Sequence, residues 1–260
     1  MSKTRTASRY LLPLLAVLAA PALAGGQAIR MGLEPFYAPF ESKQADGKLV
    51  GFDIEIGNAI CERIAAKCSY VETSFEGLIP GLKARKFEVI NSAMNITAKR
   101  RESIDFTVPI YIVPIQMVAR RDSKLLPTVA ALKGKTVGVL QGATQEDFVR
   151  KHWEREGVKV VAYRDQSQIY LDLAAGRLDA SVQEGQNAQE GFLDKPQGKA
   201  FEFKGKVLSD FATLGEGTGF GVRKGDPLKA ELDRAIAALK QDGTLSRLSQ
   251  KYFKRDIIAK

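Results

Sequence analysis

An α/β fold in two lobes, mixed sheets flanked by helices, is the architecture this sequence predicts, and three observations predict it. Short β-prone runs alternate with helical patterns, the layout of sheets covered by helices. That alternation runs through once before residue 100 and again after residue 130. The 236 residues from Gly25 onward also exceed the roughly 100 to 150 residues of a usual single core, so two cores are expected.

The chain opens on a positive segment with Lys3, Arg5 and Arg9, then an apolar run from Leu11 to Ala20 and a small-residue exit at Ala22-Leu23-Ala24. This reads as a secretory signal peptide over 1–24, cleaved after Ala24. The run contains Pro13 and is shorter than the roughly 20 residues a bilayer span needs. No cysteine follows the cleavage region to carry a lipid, and no later run has spanning length. A soluble product exported to the periplasm is expected.

The first lobe then reads as strand Ile29 to Leu33, helix 53 to 66, strand Ser69 to Thr73, helix 75 to 85 and strand Glu88 to Ser92. Gly32-Leu33-Glu34-Pro35-Phe36-Tyr37-Ala38-Pro39-Phe40, answered by Gly51-Phe52-Asp53-Ile54-Glu55, reads as a strand end opening into an aromatic and acidic loop. It is a candidate wall of a ligand cleft. Asn91 to Arg100 supplies the other wall, a strand end that delivers small polar groups and then one arginine on a short helical turn. The β-prone stretch Pro109 to Val118 suits a crossing to the second lobe.

That lobe reads as Thr136 to Leu140, helix 144 to 156, Lys159 to Tyr163, helix 167 to 175 and Ala180 to Gln183. A return crossing is expected near Ser209 to Gly217. Strand Thr218 to Arg223, helix Pro227 to Gln241 ended by Gly243, and a short helix to Tyr252 then rejoin the first lobe. Lobe 1 is thus expected to comprise 25–111 and 214–260, and lobe 2 residues 112–213. An internal echo supports the count: Leu82 to Val89 parallels Leu173 to Ala180 at a spacing of 91 residues, each a helix end turning into a buried strand. Ligands of open α/β sheets sit beyond the carboxyl ends of strands, which directs attention to Ser92 to Asn95 and to Gln183 and Glu184.

Composition excludes several classes. The net charge of +9 falls to +6 without the leader, but its Lys and Arg residues are interspersed with Asp and Glu and form no basic stripe, so no nucleic-acid partner is expected. Cys61 and Cys68 are the only cysteines, and export places them where a disulfide persists. Such a bridge would tie a helix end to the next strand, worth about 2 to 3 kcal/mol in the chain-entropy model. With His152 as the lone histidine, no closed four-ligand metal site is expected. His152 itself sits in the polar run Arg150 to Glu154 and reads as a solvated helix face.

Phosphate and dinucleotide motifs fail on spacing. Val129 stands where a phosphate loop ending in Gly134-Lys135-Thr136 needs its first glycine, and Phe220 breaks the glycine pattern from Gly215. Asn95-Ile96-Thr97 matches a glycosylation sequon, yet its place at a strand end favours a contact role. Val139 to Asp147 is more informative: a strand enters a glycine turn, and Thr144 begins a helix as its cap or as an anion contact. Arg100 can grip a carboxylate bidentately.

Together, Tyr37-Ala38-Pro39-Phe40, Gly51-Phe52-Asp53, Phe75 with Leu78-Ile79-Pro80, Ile96 to Arg100, Gly138 to Gly142 and Ala175 to Ala180 carry a resemblance. The chain resembles the lysine/arginine/ornithine- and histidine-binding branch of the type II periplasmic binding proteins of ABC importers. The likeness extends over the whole mature chain, including the Cys61 and Cys68 spacing, Gly217-Thr218-Gly219 and Gln241 to Thr244. It implies two lobes joined by paired strands that close over one amino acid, no cofactor, no catalysis, a membrane permease as partner and a monomer. Carried over by position, Arg100 would hold the ligand α-carboxylate with the Asn95 backbone amide and Thr144. Glu184 and the Ala93 carbonyl would hold its α-ammonium. Tyr37 and Phe75 would sandwich its side chain, Glu34 would meet a distal cationic group, and Gln141 and Gln145 complete the implied set.

Departures from that branch bear on the ligand. The branch carries Asp where this chain has Glu34 and Glu184, and its small hydroxyl residues are replaced by Ala93, Asn95 and Ala143. Arginine, lysine, ornithine and histidine are the expected ligands, with glutamine or an opine-like derivative as the alternative. A further alternative is an exported dehydratase on the same fold, with Glu34 or Glu184 as general acid.

Overall fold

The computed structural model describes residues 27–260, so the leader expected over 1–24 lies outside the described residues. Two five-stranded sheets organise the chain, and they share one topology. In the first, Ala28–Leu33 lies parallel between Lys67–Glu72 and Val89–Ile90, and Gly221–Val222 runs antiparallel between Val89–Ile90 and Asp105–Phe106. In the second, Thr136–Leu140 lies parallel between Lys159–Tyr163 and Ala180–Glu184, and Ile115–Arg120 runs antiparallel between Ala180–Glu184 and Phe201–Leu208. The two segments of the 91-residue echo lead into matching strands, each the third of its βαβαβ run. Among the described residues no helix is long and apolar enough to cross a membrane.

Helix Phe52–Arg63 starts directly after Gly51, with Asp53 and Glu55 in its first turn, where acids suit the helix dipole. Only glycine fits at 51: its φ is +139°, and a Cβ there would stand 2.2 Å from the Phe40 carbonyl oxygen. The helix stops short of the expected residue 66 because Ala65 turns left-handed at φ +52°. Cys61 and Cys68 then form the expected disulfide, with Cα atoms 6.1 Å apart, stapling this helix to Lys67–Glu72.

Several elements escaped the sequence. The aromatic loop folds into a small sheet of Phe36–Tyr37, Glu41–Lys43 and Leu49–Val50. Strand Phe201–Leu208 was hidden by Lys204-Gly205-Lys206, which breaks the apolar alternation. Lys204 is nonetheless buried, its ammonium donating to the Arg121 and Ser123 carbonyls and to Glu202. The return crossing is not wholly extended: Asp210 caps a short helix, Phe211–Leu214, by accepting from the Thr213 N–H. His152 is also not simply a solvated face, since its ring packs 4.6 Å from Phe148 and its Nε2 lies 2.7 Å from Asp210.

The crossings meet at Tyr111 and Thr218. The Ile110 N–H donates to the Thr218 carbonyl and the Thr218 N–H to the Tyr111 carbonyl, as expected for paired connections. A third strand joins them, because the Ile112 N–H donates to the Ile257 carbonyl and the Ala259 N–H to the Ile110 carbonyl. The C-terminal residues therefore brace the crossing. Nothing in their local composition marks this pairing.

Candidate functional site

Between the sheets a narrow cavity of about 10 Å³ is lined by Tyr37, Phe75, Ala93, Asn95, Arg100, Leu140, Ala143, Thr144, Gln145 and Glu184. That is room for about one water, so the lining groups of the two sheets stand nearly in contact. Both sheets contribute the ends of their strands and the turns that follow. Eight of the ten residues singled out in the sequence come together here. Leu140 and Ala143 were not among them; as the last strand residue and the residue before the helix, they are delivered by the glycine turn the sequence did show.

Arg100 sits on the short helix Ala98–Arg101, whose start is capped by the Thr97 hydroxyl accepting from the Arg100 N–H. Its guanidinium is buried, donating from Nη1 to the Asn95 carbonyl at 2.7 Å and from Nη2 to the Gly142 carbonyl across the cleft at 3.0 Å. Its Cζ also lies 5.4 Å from the centre of the Phe75 ring, a cation–π contact. Burial lowers its pKa to about 10, which leaves it charged at neutral pH. Among the described residues Arg100 forms no ion pair; Asp147, the acid whose charge it feels, is itself paired with Lys99. A buried charge without a counter-charge is costly, so this geometry favours an anionic group in the cavity.

Glu184 faces the same cavity from the last position of Ala180–Glu184. Its Oε1 accepts from the Asn95 amide at 2.8 Å, and its Oε2 accepts from the Tyr37 hydroxyl, linking the two sheets. Burial pushes its pKa up to about 8. A cation placed against it would restore the ionised form.

Thr144 and Gln145 open the helix Thr144–His152, with their backbone at its positive end. Thr144 is not the cap; Ala143 takes that place and has no side-chain hydrogen bond to offer. The turn before it is tight, since a Cβ on Gly142 at φ +77° would stand 2.9 Å from the Glu76 side chain of the facing lobe. That spacing is what brings this helix end to Arg100.

Two sequence-selected residues lie elsewhere. Gln141 is exposed and does not line the cavity; its N–H donates to the Tyr163 carbonyl as strand Thr136–Leu140 ends. Glu34 is buried and outside the cavity lining, its Oε1 accepting from the Phe36 N–H at 3.0 Å and, among the described residues, its Oε2 without a partner. Burial raises its pKa to about 8, and the nearby carboxylates of Asp165 and Glu76 add to the rise. Three further groups are buried: the Tyr111 hydroxyl donates to Asp53, and Glu41 accepts from the Ser92 hydroxyl. The Gly51-Phe52-Asp53 motif was visible in the sequence, but nothing local ties Asp53 to Tyr111, 58 residues away.

The comparisons agree with this geometry. Residues 29–255 match the family of bacterial extracellular solute-binding proteins, family 3. The histidine-binding periplasmic protein of Salmonella typhimurium is 47% identical over 232 residues, 89% of each chain. The lysine/arginine/ornithine-binding periplasmic protein of Escherichia coli is 46% identical over 228 residues, 87% of this chain and 88% of that one. Among solved structures, an ancestral arginine-binding protein bound to arginine superposes with a TM-score of 0.81 at 32% identity, covering 88% of this chain and 99% of the other. By family, by fold and by the placement of its cleft, this chain belongs to the bacterial extracellular solute-binding proteins of family 3.

Proposed function

We propose that the protein is the periplasmic receptor of an ABC importer and holds one cationic L-amino acid between its lobes without transforming it. One observation carries the reading: among the described residues a buried guanidinium with no acidic partner, Arg100, shares a small cavity with a carboxyl with no basic one, Glu184. A zwitterion supplies both missing charges. Arg100, the Asn95 backbone N–H and the start of helix Thr144–His152 take its carboxylate, while Glu184 and the Ala93 carbonyl take its ammonium. Tyr37 and Phe75 flank the side chain, where a cation gains about 0.5 to 2 kcal/mol over each ring.

Glu34, buried and with one oxygen unpartnered, supports a positive distal end. An ammonium at 4 Å from a carboxylate is worth about 4 kcal/mol at an effective dielectric of 20, before desolvation. Exposed charges beyond about 8 Å are screened, so this local acid outweighs the positive total. Closure joins lobe 1, residues 25–111 and 214–260, to lobe 2, residues 112–213, about the paired strands at Tyr111 and Thr218. The closed monomer then presents both lobes to a membrane permease. Names of close relatives that bind histidine, or lysine, arginine and ornithine, support this ligand class. Calorimetric titration with a panel of L-amino acids tests it: basic members bind, and failure of all of them below about 100 µM, roughly 5.5 kcal/mol, rejects the cationic assignment.

A further inference from the structure

Beneath the cleft, two buried acids that do not line the cavity hold consecutive residues of the loop that does. Glu41 accepts from the Ser92 hydroxyl at 2.7 Å, and that hydroxyl accepts from the Glu34 N–H at 3.0 Å. Asp53 grips the same loop at two points. Its Oδ2 accepts from the Ala93 N–H at 2.7 Å, and its backbone carbonyl accepts from the Asn91 side-chain amide at 2.9 Å. The Tyr111 hydroxyl donates to the same carboxylate, 2.9 Å from Oδ1 and 3.1 Å from Oδ2. Glu41 and Asp53 are each 1% exposed, so every one of these bonds is shielded from water.

Ala93 needs such a grip. Its φ is +40°, in the left-handed region that costs a residue bearing a Cβ roughly 1 to 2 kcal/mol. Nonetheless it lines the cavity. Tyr111, at the other end of the bond, is where the crossing strands and the C-terminal strand meet, pairing with both Thr218 and Ile258. One carboxylate therefore touches a strained lining residue and the place where the lobes are joined.

We infer that Asp53 is a positioning residue: it fixes Ala93 in its left-handed conformation and, through Tyr111, ties the binding loop to the crossing between the lobes. This deepens the receptor reading and rests on it for the effect on affinity, but the local clamp exists independently of any ligand. Loss of the carboxylate frees the loop to relax toward an ordinary backbone conformation, which turns Ala93 and Asn95 away from their cavity positions. Tyr111→Phe leaves the Ala93 bond in place and loosens only the link to the crossing.

A suppressor experiment separates this role from general stability. L-Arginine, L-lysine and L-histidine are titrated into wild type and Asp53→Ala, each with and without Ala93→Gly. Glycine adopts the left-handed conformation without the Cβ penalty. About tenfold weaker binding is expected for Asp53→Ala alone, and less than about threefold in the Ala93→Gly background, in line with one charge-assisted hydrogen bond. An equal loss in both backgrounds, or no loss in either, overturns the inference. Asp53→Asn, which spares the core from a hole, is read by NMR on the free protein. The Ala93 amide proton is expected far downfield in wild type and shifted upfield in the variant; an unchanged shift also overturns it. If no basic amino acid binds wild type, the receptor reading fails while the amide shift still decides the clamp.

Discussion

The two lobes share a sheet topology but hold their site residues by different means. In the second lobe secondary structure does most of the positioning: Glu184 ends a strand paired to Ile115–Arg120, and Thr144 and Gln145 begin a helix whose preceding turn is held by the Gly142 N–H donating to Glu146 at 2.7 Å. In the first lobe Ala93 and Asn95 sit on the loop beyond the two-residue strand Val89–Ile90 and Arg100 on the short helix that follows, and side-chain hydrogen bonds to Asp53, Glu41 and Thr97 hold this segment. The lesson is that one topology supports two levels of sensitivity. A point substitution in the first lobe can disarrange the site from a distance at several places, whereas in the second lobe Glu146 is the side chain outside the lining that braces the lining turn.

The strongest way to break the comparison is Arg100→Ala. It leaves the second lobe intact but removes the counter-charge from a buried ligand carboxylate, so binding should weaken by about 3 to 5 kcal/mol by calorimetry. Equal affinity for both proteins removes Arg100 from the site.

Titration sharpens it next, since each lobe places one carboxyl, Glu34 or Glu184, where burial raises the pKa from 4.5 to about 8. Between these values the folded protein binds more protons than the unfolded chain. The stability from these groups is therefore fully present below about 4.5 and lost as pH rises to about 8. Asp53, raised by burial to about 7, and Glu41, also raised by burial, act in the same direction. The free protein should melt at progressively lower temperature across that window, and Glu34→Gln and Glu184→Gln should each flatten part of the fall. A cationic ligand favours the ionised carboxyls, so binding near pH 7 should release protons, seen as a buffer-dependent heat. A flat melting profile, or proton uptake on binding, contradicts both carboxyl assignments.

Smallest is the exposed link between the lobes, Lys99 to Asp147 at 3.0 Å. Lys99→Ala should weaken binding by less than about 1 kcal/mol, with the difference vanishing in high salt. A larger, salt-insensitive loss would show that closure depends on this surface pair rather than on the buried contacts.

Legibility followed the range of the interactions. Thr136–Leu140 and Lys159–Tyr163 were readable to the residue because β-branched runs bounded by glycine and charge are local signals. The motifs around Tyr37, Arg100 and Glu184 announced a cleft because residues at strand ends must face it. Gln141 belongs to the same glycine turn as Ala143, but it is exposed and outside the cavity lining. Strand Phe201–Leu208 was invisible because a buried lysine satisfied by carbonyls looks, in sequence, like a solvated one.

By itself the sequence determined two α/β lobes, a short disulfide-closed loop and the identities of the charged and aromatic groups offered to a ligand, because periodicity, turn chemistry and residue type are properties of neighbouring residues. Only the tertiary structure decided that Arg100 is buried with no acid paired to it among the described residues, that Glu34 is buried with one oxygen unpartnered, and that Asp53 joins Ala93 to Tyr111. Those facts depend on water being excluded between segments far apart in the chain, and exclusion from water is what turns an ordinary charge into an unsatisfied one.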